Sequence, residues 1–177
     1  MISPQARQGI EHIFIKSARA KLLRDTGDRC EILPVQDDSD FVAHHIVVLT
    51  ISSFRFRLTA IFHIDDNAPN RDYFVGDGAD RSFTEVFAEF GNLCCGGINR
   101  ELLPHFPDLG MSTPNALSGH CAGHLAALRA KQRWRYAISI NQAVRLNATL
   151  CMTNYGPLDF VVDTRLPEEA AGELELF

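Results

Sequence analysis

Residues 82–104, SFTEVFAEFGNLCCGGINRELLP, constrain the fold more than any other stretch of the chain. Ser82 and Glu85 form the S-x-x-E capping box that opens a helix, and Pro104 closes one. The pattern predicts a long central helix from about residue 83 to 103. Inside it lie Gly91, Gly96 and Gly97, with Asn92 and Asn99, all weak helix formers. Each glycine costs about 1 kcal/mol against alanine in a helix interior. A helix that accepts this needs a face kept bare for something else.

At about 100° per residue, Phe83, Val86, Phe87, Phe90, Cys94, Gly97 and Ile98 fall on one broad stripe, the expected core face. Glu85, Glu89, Asn92, Gly96 and Asn99 fall on the opposite stripe. Glu89 and Asn92 sit side by side on adjacent turns, about 4.5 Å apart along the axis. Gly96, one turn below Asn92, lets another backbone approach that amide. The stripe reads as a docking surface carrying a hydrogen-bonding group, without hydrophobic anchoring. Ordinary solvated helix faces have a similar composition, so periodicity alone leaves that alternative open. Tight packing is a second reason for glycine, at least for Gly97 on the core side.

The rest of the chain predicts an α+β domain with a largely antiparallel sheet and helices on one face. Ile10, Ile13, Phe14, Ala18 and Leu22 share one face of a first helix over residues 5–24. Residues 31–40 read as a short extended piece and a turn. HIVVLTIS (45–52) and FRFRLTAIFHI (54–64) predict a hairpin, with Phe54, Phe56, Leu58, Ala60 and Phe62 on its buried face. Residues 65–81 read as a polar loop, and 115–132 as part helix, part loop. A second hairpin is expected over 134–141 and 144–153, then a short last strand over 158–163. The domain is expected to span residues 1–165, with residues 166–177 an acidic, frayed C-terminal tail.

The chain has 177 residues, enough for one domain with a proper core. A formal net charge of −5 argues against nucleic acid as the main partner. No run of about 18 apolar residues implies a membrane span, and the N-terminus lacks the pattern of a signal peptide. The five cysteines are odd in number, with two adjacent, which is no disulfide framework. A reducing cytoplasm is the expected setting.

EFGNLCCG, from Glu89 to Gly96, resembles the E-x-x-N-x-x-x-G signature of the CheC/CheX/FliY chemotaxis phosphatases. LGMSTPNALSG, residues 109–119, resembles the segment that follows the signature helix in CheX-like members. The resemblance covers about residues 5–162 and implies a single CheC-like domain, a mostly antiparallel sheet packed against long helices. It implies a phosphatase acting on the aspartyl-phosphate of a CheY-like response-regulator receiver domain. In that role Asn92 orients a water for in-line attack, and Glu89 pairs with the receiver's lysine. Gly96 is the matching glycine, and Glu85 and Asn99 are candidate partner-binding residues beside it. The receiver supplies its own divalent metal, so no cofactor or metal belongs to this chain. An amide positions water without a tuned pKa, and positioning is a large part of phosphoryl-transfer catalysis.

Only one signature is present, as in CheX-like proteins, and by analogy this implies a homodimer. Gly91 stands where the family more usually has a larger apolar residue. It and Gly97 are expected to loosen the helix around Asn92. They favour an alternative, a non-catalytic module of the same fold that docks or sequesters a signalling partner. A third reading is an unrelated small-ligand sensor on this fold.

Other signals have plainer readings. His120 and His124 are spaced for one helical face, but Gly119 and Gly123 argue for a loop and against zinc. His44 and His45 at a strand start point to opposite faces. RAKQRWR (129–135) is a solvated strand entry, GDGAD (76–80) a turn, and Cys94 and Cys95 are packing residues.

Overall fold

The computed structural model describes residues 1–36, 41–76 and 81–163. Its strands are β1 (Cys30–Pro34), β2 (His45–Ser52), β3 (Phe56–Ile64), β4 (Gly110–Met111), β5 (Asn115–Ser118), β6 (Gln132–Ile140) and β7 (Val144–Asn154). They form one antiparallel sheet in the order β1-β6-β7-β3-β2, with β4 and β5 both paired to β2 at the far edge. Helices α1 (Pro4–Leu22), α2 (Ala68–Phe74) and α3 (Phe83–Leu102) complete the fold. This is the α+β architecture that the residue patterns predict.

Strand alternation builds the core. Val47, Leu49 and Ile51 of β2, Phe56, Leu58, Ala60 and Phe62 of β3, and Leu146, Ala148, Leu150 and Met152 of β7 all point to the same buried side. Ile10, Ile13, Phe14, Ala18 and Leu22 of α1 lie over that face, with Phe14 stacked on Tyr136 at 4.7 Å between centroids. The β6–β7 turn places Asn141 and Gln142 at φ 51° and 61°. Two successive positive φ values match the type I′ turn, which follows the strand twist.

Four expectations change. Phe54 lies in the β2–β3 turn and is 91% exposed, because the buried alternation starts only at Phe56. Part of the loop 65–81 is α2: Asn67 caps it through its side chain, Pro69 occupies the first turn, and Phe74 packs on Phe87 and Phe90. Residues 158–163 form no strand beyond one bridge between Ile2 and Leu158. Leu158 and Phe160 are buried instead, and Gly9 of α1 admits Phe160 and Val162 close to its backbone. Finally, helices are not confined to one side. A 3-10 helix, Gly119–Leu128, lays Ala122 and Leu125 on Ile46, Ile61 and Cys151 of the other face. The acidic tail from residue 166 and most of GDGAD lie outside the described residues.

Candidate functional site

Helix α3 starts with the capping box intact: Glu85 N–H donates to Ser82 Oγ, and Ser82 N–H donates to the Glu85 carboxylate. Such a cap contributes about 1 kcal/mol. It also engages Glu85, so this candidate partner-binding carboxylate works first for the helix end. The helix runs unbroken to Leu102 through all three glycines.

The glycines divide by direction. A Cβ on Gly91 would lie 3.2–3.4 Å from Val47, Leu49 and Phe62, and one on Gly97 would lie 3.0–3.1 Å from the Ser17 side chain of α1. Both permit close approach, of α3 to the sheet and of α3 to α1. Neither leaves a loose turn, so their expected loosening of the helix beside Asn92 is offset by packing. A Cβ on Gly96 would meet nothing within 4 Å. Of the three, only Gly96 faces open space.

Glu89 is exposed, while Asn92, Gly96 and Asn99 are half-buried. They share one stripe, with Asn99 two turns beyond Asn92. No hydrogen bond from another described residue engages the Asn92 amide. Asn99 Oδ1 is buried without a hydrogen-bond partner. Half-exposed Leu93 and Leu103 flank the stripe, so the face does carry an apolar rim, contrary to the reading from periodicity.

Glu89 is not free. Arg81 Nη1 donates to Glu89 Oε2 at 2.9 Å. This bond and the charge of the guanidinium hold the Glu89 carboxyl below the ordinary carboxylate range. Sequence periodicity could not find Arg81, which lies outside the helix, just before the N-cap.

The segment 109–119 lies beside α3 at the sheet edge. β4 and β5 are two pieces of one edge strand on β2, interrupted at Ser112-Thr113-Pro114. Proline has no N–H to give the ladder and is tolerated at edges and bulges. Ser112 keeps the contact, donating its N–H to Thr50 O and accepting from Thr50 N–H.

The remaining candidates separate. His120 and His124 stand on a 3-10 helix, whose three-residue turn points positions four apart in different directions. No group of three or more metal-ligating side chains occurs among the described residues. Arg135 of the basic run is buried over Phe41 at 4.0 Å, and Trp134 is core. Cys94 and Cys95 are buried, and burial pushes the Cys95 thiol up to about 12. No helix among the described residues is long and apolar enough to cross a membrane.

No protein-family model and no curated protein matches the chain. Solved structures do. CheX from Vibrio vulnificus superposes with a TM-score of 0.62 at 16% identity, over 81% of this chain and 99% of that one. A CheC-like superfamily protein from Shewanella sp. PV-4 gives 0.60 at 12% identity, over 82% and 97%. A chain of the CheX–CheY–BeF3–Mg2+ complex from Borrelia burgdorferi gives 0.60 at 13% identity, over 82% and 96%. The chain therefore has the fold shared by CheX and CheC-like chemotaxis proteins.

Proposed function

We propose that this protein is a phosphatase for the aspartyl-phosphate of a CheY-like receiver domain. The observation that carries the reading is the open stripe of α3, where Asn92 stands one turn from Glu89 and beside the bare backbone of Gly96. In this reading Glu89 receives the receiver's lysine and sets the register. Asn92 holds a water in line with the phosphorus, accepting a hydrogen bond from it through the amide oxygen. The acyl phosphate is already activated, and the receiver brings its own divalent metal. The chain then has to contribute placement alone. The existence of a CheX–CheY complex on this fold supports the choice of partner. The alternative of a binding module without turnover rested on a loosened helix around Asn92, and Gly91 and Gly97 are accounted for by close packing.

The test is phosphate release from acetyl-phosphate-charged receivers of the same organism. Wild type should accelerate it, and Asn92→Ala should lose on the order of 100-fold of that acceleration while still binding. Glu89→Lys should weaken binding at least about tenfold through like-charge opposition to the lysine. Full turnover by Asn92→Ala would refute the assigned chemistry. Binding by the wild type without any release would establish the sequestering module.

A further inference from the structure

Resting on that reading, we propose that Arg81 sets the affinity of docking: it occupies Glu89 in the free protein as a stand-in for the partner's ammonium, so docking exchanges one cation for another. Arg81 precedes the N-cap of α3, and Glu89 lies about 10 Å further along the axis. The two side chains together bridge that distance, the guanidinium meeting the carboxylate at 2.9 Å. The charge of Glu85 attracts the guanidinium as well.

The pair is built to exchange. Its side chains are 51% and 60% exposed, so water and salt screen it, and opening it costs little. A buried pair would instead leave a stranded charge on opening. An exposed and unpaired carboxylate would attract any lysine-bearing surface. With Arg81 in place, a passing cation gains only the difference between itself and the guanidinium. A receiver that also presents a phosphoryl group to Asn92 gains more. Arg81 therefore weakens every cation-bearing partner alike, so a surface that offers the cation alone binds too weakly to hold, while a receiver that adds its phosphoryl group still docks.

The experiment uses a CheY-type receiver loaded with beryllofluoride and Mg2+, and the same receiver with its active-site lysine changed to alanine. Arg81→Gln should bind the intact receiver about three- to fivefold more tightly at low salt, with KM lowered alike and kcat unchanged. Arg81→Lys, which keeps the cation, should stay near wild type. The gain should vanish on the lysine-less receiver and in a Glu89→Gln background. Unchanged or weaker binding by Arg81→Gln would overturn the proposal, as would a gain that persists without Glu89. A failure confined to the Arg81 arms leaves the phosphatase reading standing. Absence of receiver binding by the wild type would remove both.

Discussion

On its inner side α3 presses Gly91 against Val47, Leu49 and Phe62, and on its outer side it leaves Gly96 facing empty space. The same residue type answers two different demands within five positions. Inside, a missing side chain lets two layers meet. Outside, it leaves backbone uncovered next to Asn92, where no other part of the described chain comes to cover it. The inner absence is accounted for by the fold. The outer absence costs helix stability and returns no packing within the described chain. The same contrast holds for the carboxylates: Glu85 serves the helix cap, whereas Glu89, in water, pairs with the Arg81 guanidinium.

The comparison can be broken from the inside first. Gly91→Leu forces a side chain into occupied space and should cost about 1–3 kcal/mol. Thermal unfolding should then fall by roughly 2–4 °C per kcal/mol, while the folded fraction keeps its turnover. An unchanged melting temperature would mean that the helix does not rest on the sheet as described.

A smaller effect tests a region remote from both faces. Asp28 accepts from Tyr73 Oη at 2.7 Å and Asn141 Nδ2 at 2.6 Å, joining the loop between α1 and β1 to α2 and the β6–β7 turn. The bond from Tyr73, then that from Asn141, lowers its pKa from 3.8 to about 2. A depressed carboxylate stabilises the fold above its unfolded value, so this contribution is complete above about pH 4 and is lost as pH falls toward 2. Because the group is only partly buried and water still screens it, the slope should be shallow. Acid-unfolding curves of Asp28→Asn should lack it, with phosphate release at neutral pH unaltered.

Much of this was legible in the residues. The capping box, the Pro104 stop, the buried faces of α1, α3 and β3, and both hairpins follow from local chemistry and periodicity. What escaped depends on tertiary placement. Helix α2 was hidden by a turn-rich composition, because Asn67 and Pro69 mark helix starts as readily as loops. Phe54 obeys the alternation but lies past the end of its strand. The reason for glycine at 91 is a neighbour far away in sequence, which no helical wheel contains. Arg81 leaves no trace in the period of α3 for the same reason in reverse: it reaches the site from outside that helix. Glu89, Asn92, Gly96 and Asn99 do share a face as predicted, since that claim needed only a continuous helix.

The most direct measurement is Gly96→Ala, followed by thermal unfolding and by receiver binding in the same preparation. Helix propensity should stabilise the variant by up to about 1 kcal/mol, raising its melting temperature, because the new methyl group enters open space. If a partner's backbone approaches there, receiver binding and phosphate release should fall even as stability rises. A variant that is both more stable and fully active would contradict the claim that this face is kept bare for a partner.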